Sequence, residues 1–329
     1  MEIGLSIFPV ILFLIFLFLL DSFKLVIRKY LLGAILWGII SAVLAYYANT
    51  FILGYEKIGL PVLSRYVAPA SEEIIKSLFI FLIIAKKRVG FMIDGAIYGF
   101  AVGAGFALSE NIFYLNTNDD TNIFIWIIRG FGTAIMHGGC TSLLSVILIN
   151  GKNQDKFNAT NISMGFLAAY CIHSAFNHFY IDPVAQTLGV ITLLPIVFIL
   201  IFKYNEKQLQ NWLEIEFNSE VELLNMINKG QFLTTRSGEY LASLKSRFPR
   251  ETIFDMYCFI RIYLELSIKA KRNIMLKENG FPIIIENDLE GKINELVQLR
   301  KQIGKVGELT LSPLIRMNYQ DLWKINSLK

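Results

Sequence analysis

Seven stretches of this chain are apolar over roughly the length of a bilayer-spanning helix, and that repetition constrains its fold more than any other feature. They lie at residues 7–20, 31–53, 68–85, 93–115, 124–150, 164–180 and 188–202. A helix needs about 20 mostly apolar residues to cross the hydrocarbon core of a membrane. The expected fold is therefore all-α: a polytopic membrane helix bundle of about seven transmembrane helices. The first run is preceded only by the acidic Glu2, with no basic segment and no small-residue cleavage site. It is expected to be a retained helix rather than a signal peptide.

Charge then divides the chain. Charged residues make up 18% of it, against about 25% in an ordinary soluble domain. Residues 205–329 hold 18 Lys and Arg and 16 Asp and Glu, so 34 of the 58 charges fall there and 24 in the first 204 residues. The division predicts a membrane domain at 1–204 and a C-terminal cytoplasmic helical domain at 205–329. In the second part, Leu209, Trp212, Leu213 and Phe217 recur at helical spacing, as do Tyr257, Ile260, Tyr263 and Leu264. Gly230, Gly280 and Pro282 punctuate a bundle of three or four amphipathic helices.

Basic residues in short loops mark the cytoplasmic side. The first connection carries Lys24, Arg28 and Lys29, the third Lys86, Lys87 and Arg88, and the fifth Lys152 and Lys156. The fourth has no basic residue and holds Asp119 and Asp120. This places the N-terminus outside and the C-terminus in the cytoplasm of a multi-pass cell-membrane protein. The net charge of +4 is small and dispersed, so the expected partners are the lipid bilayer and not nucleic acid. Cys140, Cys171 and Cys258 form no ladder of spacings; the first two read as small buried apolar residues.

Ionisable groups inside membrane helices cost about 2.5–3.5 kcal/mol each on insertion scales, and they mark functional sites by default. Here several fall at comparable depth. Ser71, Glu72, Glu73 and Lys76 open the third run. Lys76 is four residues after Glu72 and three after Glu73, so all three share a helix face. An ordinary helix start with acids at its positive end explains them equally well in isolation. Glu110 and Asn111 lie toward the outer end of the fourth run, which also carries Gly95, Gly99 and Gly103 at four-residue spacing. Such a small-residue stripe lets a neighbouring backbone approach closely. Arg129 and His137 lie in the fifth run, and His173, Asn177 and His178 in the sixth. His173 and Asn177 share a face. That pair suits donation to an oxyanion, the imidazole also suits a metal, and a structural pair of interhelical hydrogen bonds is the plain alternative. His178, nearer the water, reads as structural. Convergence of Glu72, Glu73, Glu110, His137, His173 and Asn177 from four runs favours a polar catalytic cavity.

In this order the motifs resemble those of the PrsW family of intramembrane proteases, relatives of the CAAX prenyl proteases and the bacteriocin-processing membrane proteases. Glu72, Glu73 and Lys76 match a Glu-Glu-x-x-Lys motif, and Phe106 and Glu110 match Phe-x-x-x-Glu. His137 matches a histidine in the next span, and His173 and Asn177 match His-x-x-x-Asn. The resemblance covers about residues 30–200. It implies hydrolysis of a membrane protein or peptide substrate within or near the bilayer, on the extracytoplasmic side by the topology above. The preferred assignment makes Glu72 or Glu73 the general base, oriented by Lys76, with His173 and Asn177 at the oxyanion. Glu110, His137 and His173 are the expected ligands if a zinc ion is used; a metal-free glutamate–histidine mechanism stays open beside it. The same cluster also suits two other classes, a proton-coupled carrier and a non-catalytic scaffold that binds membrane peptides.

Overall fold

A computed structural model describes residues 2–19, 21, 25–55, 58–117, 123–154, 156–283, 288–315 and 325. Lys24, Asp119 and Asp120, and the side chains of Glu2, Trp212 and Leu213, lie outside the described set. The described residues are almost wholly helical and include no strand. Two compact units divide between Asn205 and Glu206.

The first unit begins with α1 (Glu2–Leu19) and α2 (Arg28–Tyr55). A short α3 (Leu60–Val62) leads through a π-helical turn (Leu63–Val67) into α4 (Ala68–Ala85). Next come α5 (Met92–Thr117) and α6 (Ile123–Ile127). A second π-helical turn (Ile128–Thr133) joins α6 to α7 (Ala134–Asn153). After α8 (Ala159–His178) comes α9 (Pro183–Asn228), within which the first unit ends. Helices thus occupy all seven apolar runs. Among the described residues, four segments are long and apolar enough to cross a membrane: Arg28–Tyr55, Met92–Thr117, Phe124–Asn153 and Pro183–Lys207. The apolar part of α1, Ile7–Leu19, is shorter, and α4 carries Glu72, Glu73 and Lys76.

α5 is the hub. Every residue from Met92 to Ala107 is buried, as expected of a helix that is apolar all round. It lies chiefly between α2 and α7. The glycine stripe faces α7: a Cβ on Gly103 would stand 2.3 Å from the carbonyl oxygen of His137, and one on Gly99 would stand 2.7 Å from the Cα of Ser142. Across α5, a Cβ on Gly105 would lie 2.1 Å from the Ile35 carbonyl oxygen of α2. Only hydrogen fits at these crossings. The outward faces of α2, α4, α8 and α9 are apolar and exposed, with Leu36, Val43, Leu78, Leu167 and Leu193 among them. This is the inverse of a soluble fold. It also corrects one expectation: Cys171 is exposed, because its side of α8 faces outward with Ile172 rather than into the bundle. Cys140 is buried.

The second unit comprises the end of α9, α10 (Arg236–Ser243), α11 (Arg250–Glu278) and α12 (Leu289–Leu311). Its core joins Leu241, Phe259, Ile260, Tyr263 and Leu264 to Ile293, Leu296 and Ile303. Gly230 and Gly280 take positive φ just after α9 and α11. In each case the next residue's N–H returns to a carbonyl five residues back, Gln231 to Met226 and Phe281 to Leu276, the capping bond that an αL glycine permits. Lys271 is fully buried and lies 3.2 Å from Glu220, which also accepts from Ser267.

Candidate active site

α4 contributes the first elements of the site. Lys76 and Glu73 are one turn apart, with side chains 0% and 1% exposed, and their charged atoms are 2.7 Å apart. Charges so buried persist only when paired and hydrogen-bonded. The Lys76 ammonium also reaches His137 Nδ1 at 3.0 Å and sits 4.1 Å from the centre of the Phe106 ring. Phe106 of the sequence motif is therefore a cation-binding wall.

Glu73 has both oxygens committed. Oε1 meets Lys76 and, at 3.0 Å, His173 Nδ1; Oε2 accepts from Thr141 Oγ1 at 3.2 Å. His173 Nδ1 faces a carboxylate and so donates, which leaves its Nε2 lone pair turned toward Glu72 Oε2, 3.7 Å away. Glu72 is held in turn by Asn49 Nδ2 at 3.3 Å, and Asn49 Oδ1 accepts from Ser71 at 2.6 Å. The rings of His137 and His173 meet edge to face at 4.7 Å.

The outer end of α5 completes the cluster. Glu110 Oε2 lies 3.1 Å from His137 Nε2 and 3.5 Å from Arg129 Nη2. With His137 Nδ1 accepting from Lys76, the neutral ring carries its proton on Nε2 and donates it to Glu110. Arg129, on the π-helical turn before α7, donates from Nε to Asn111 Oδ1 at 3.2 Å and lies 3.7 Å over the Tyr114 ring. The result is one chain of contacts: Glu72, His173, Glu73, Lys76, His137, Glu110, Arg129, in which each neutral imidazole joins charged neighbours.

Of the residues singled out in the sequence, Glu72, Glu73, Lys76, Glu110, His137 and His173 meet here. Asn177 does not join them through any hydrogen bond to the cluster. It is partly exposed, and its amide donates at 2.9 Å to the carbonyl of Ser64 on the first π-helical turn. Ser174 makes a parallel bond to the Arg65 carbonyl at 2.6 Å. His178 donates to the Ser174 carbonyl and lies between Tyr66 and Tyr180, a structural setting. Thr141, Asn49 and Tyr114 escaped sequence reasoning. Thr141 had a signal, being one turn after His137 on the same face; Asn49 and Tyr114 had none.

The residues fit a metal ion by donor type. Among the described residues, one ligand atom each from Glu72, His137 and His173 lies within 4.8 Å of the other two, short enough for small side-chain rotations to converge on one ion. Two imidazoles and a carboxylate with an open fourth position are a zinc-type donor set. His173 is also fixed from behind by a carboxylate, as metal-bound histidines usually are. The sequence-based set named Glu110 in place of Glu72. Glu110 touches His137, but the end of α5 turns it to α7 and Arg129, while the start of α4 brings Glu72 to His173.

The bundle and its carboxylate–histidine centre define a helical membrane protein with the groups that hydrolysis needs. Residues 27–202 match the PrsW family of intramembrane metalloproteases, more than half of the chain. This chain belongs to that family and is a membrane-embedded protease. A protein named Protease PrsW from Oceanobacillus iheyensis is 25% identical to it over 154 residues, covering 46% of this chain and 68% of that protein. No solved structure matches. The carrier and scaffold readings find no support in these matches.

Proposed function

We propose that this protein cleaves membrane proteins or peptides at the cluster centred on Glu72, Glu73, His137 and His173. The observation that carries the reading is the bond from His173 Nδ1 to Glu73, at 3.0 Å, beside the converging Glu72 and His137. It presents His173 Nε2 to whatever occupies the space between them. In this reading Glu72, His137 and His173 hold a divalent ion. When bound, such an ion supplies Lewis-acid activation of water and of the substrate carbonyl. Glu73 and Lys76, both fully engaged and buried, orient the two imidazoles. Glu110, 27% exposed and the most open of the three carboxylates, takes the proton of the attacking water and returns it to the leaving nitrogen. Asn177 holds α8 against the turn that leads into α4.

A second reading has its own support. Both nitrogens of His137 are occupied, by Lys76 and Glu110, and binding a metal at Nε2 displaces the proton given to Glu110. A metal-free glutamate–histidine mechanism keeps that bond. The deciding experiment is metal analysis by mass spectrometry on protein purified in mild detergent without chelators, alongside cleavage of a fluorogenic single-span peptide. About one zinc per chain, lost in Glu72→Gln and His173→Ala but kept in Glu110→Gln, supports the assignment. Zinc lost in Glu110→Gln and kept in Glu72→Gln returns Glu110 to the ligand set. Full cleavage with no metal leaves the metal-free mechanism.

The proposal extends to placement. All seven apolar runs cross the membrane, the N-terminus is extracytoplasmic, and residues 205–329 form a cytoplasmic helical domain. Glu110 lies some 16 residues beyond Asp94 on α5, about 24 Å along the helix, so cleavage falls near the extracytoplasmic face. Mapping the cut to a cytoplasmic loop of a substrate sinks this placement.

A further inference from the structure

We infer that Arg129 is a catalytic residue, the donor to the oxyanion that forms on the scissile carbonyl. The inference rests on the protease reading above. Three observations carry it. First, hydrolysis needs donors aimed at the developing oxyanion, and those that the sequence suggested are engaged elsewhere: His173 Nδ1 with Glu73, and Asn177 with the Ser64 carbonyl. Second, Arg129 Nη2 is buried and has no hydrogen-bond partner among the described residues. Its distance to Glu110 Oε2, 3.5 Å, is too long for a hydrogen bond. A buried, unsatisfied donor in a native fold calls for an explanation. Third, the rest of the guanidinium is fixed. Nε is held by Asn111, one face lies on Tyr114, and the backbone is the π-helical turn Ile128–Thr133, a local geometry frequent at functional sites. A rigid cation whose Nη2 is ion-paired with Glu110 at 3.5 Å yet makes no hydrogen bond among the described residues is preorganised for an oxygen that gains charge.

The step balances without further reagents. The water oxygen bonds to the carbonyl carbon, and the C=O π pair moves onto oxygen. The water proton goes to Glu110. Nη2–H donates a hydrogen bond to that oxygen and keeps its proton. When the C=O bond re-forms, the C–N bond breaks and the leaving nitrogen takes the proton from Glu110.

The test compares the unaltered protein with Arg129→Gln, Arg129→Lys and Arg129→Ala, using a fluorogenic single-span membrane peptide in detergent. Metal content and thermal midpoint are measured on each variant. Arg129→Gln is expected to lower kcat by about 10²–10³-fold, the usual loss of one oxyanion donor, with KM within about threefold and metal content and midpoint unchanged. Arg129→Lys recovers part of the rate, and guanidinium ion in solution partly rescues Arg129→Ala. The inference is overturned if Arg129→Gln keeps kcat within about threefold, or raises KM alone, as uniform binding does. It is also overturned if Gln and Lys variants both lose metal or thermal stability in step with activity, which marks a structural role. Failure of the unaltered protein to cut any such peptide is a separate outcome and sinks the protease reading itself.

Discussion

A single methyl group at Gly103 is expected to disable the enzyme while the same methyl at Gly95 is tolerated. Both glycines lie on the α5 stripe that faces α7. At Gly103 an added Cβ meets backbone, 2.3 Å from the His137 carbonyl oxygen, 2.5 Å from its carbonyl carbon and 2.6 Å from the Cα of Gly138. Comfortable separations are about 3.5 Å, so α7 must retreat by about 1 Å at His137. Overpacking of this kind costs about 1–3 kcal/mol, and a misplacement of about 1 Å at a reacting group costs about 10²-fold in rate. At Gly95 the Cβ meets Ile149 Cδ1 at 2.0 Å and Ser145 Oγ at 3.1 Å. These are side-chain ends that can rotate away, far along the helix from His137. Gly103→Ala should therefore lose about 10²-fold in kcat with a lowered thermal midpoint, and Gly95→Ala should stay within about threefold. Peptide cleavage and thermal unfolding in the same detergent measure both. Equal activity of the two variants would refute the claim that the glycine crossing positions His137.

Three further outcomes follow from the contacts. Lys76→Met strips the buried Glu73 of its counter-ion, so the variant should lose about 3–5 kcal/mol of stability. Adding Glu73→Gln should restore much of the thermal midpoint but not cleavage. Asn177→Ala removes one bond to the Ser64 carbonyl and should cost about 1 kcal/mol and less than about tenfold in rate; a 10³-fold loss with an unchanged midpoint would return Asn177 to the oxyanion. In the second unit, burial raises the Glu265 carboxyl, but hydrogen bonds from Lys292 and Lys269 outweigh it and hold the group below its ordinary value. A depressed carboxylate stabilises the fold above its unfolded pKa and loses that contribution as pH falls through the folded value. The midpoint gap between the unaltered protein and Glu265→Gln should then shrink on acidification. It should reflect under about 1 kcal/mol because the pair is partly exposed, and a gap that does not change with pH rules the linkage out.

Much of this was written in the sequence because membrane helices announce themselves by length. Residues 68–85 were expected as one run, and α4 has those bounds. The polar members of the site stood out against apolar surroundings. What sequence could not fix is rotation and crossing. Glu110 meets its expected neighbour His137, but it is Glu72, at the start of α4, that reaches His173 on α8. Asn177 lies on the expected face of α8, yet it meets the Ser64 carbonyl on a π-helical turn that no spacing rule anticipates. Asn49 is one polar residue in a long apolar helix, and only the fold shows that it holds Glu72.

The ordering of charge along the chain also bears on how the site can form at all. In the proposed topology α4 takes three charged residues into the bilayer, each costing about 2.5–3.5 kcal/mol at a helix centre. Glu73 and Lys76 neutralise one another within the helix, at 2.7 Å and one turn apart, before any partner arrives. That leaves a single formal charge, Glu72, to be met from outside α4, by Asn49 of α2 and His173 of α8. On α5 and the turn before α7, Glu110 and Arg129 are likewise opposite in sign and adjacent in the folded bundle. His137 links the two pairs, joining Lys76 to Glu110, and His173 ties α8 to Glu73 and Glu72 of α4. On that proposed topology the internal Glu73–Lys76 pair would ease insertion of α4, and the histidines would join the inserted helices into the proposed site. Loss of a histidine should therefore spare membrane insertion and abolish cleavage, whereas loss of Lys76 should compromise both.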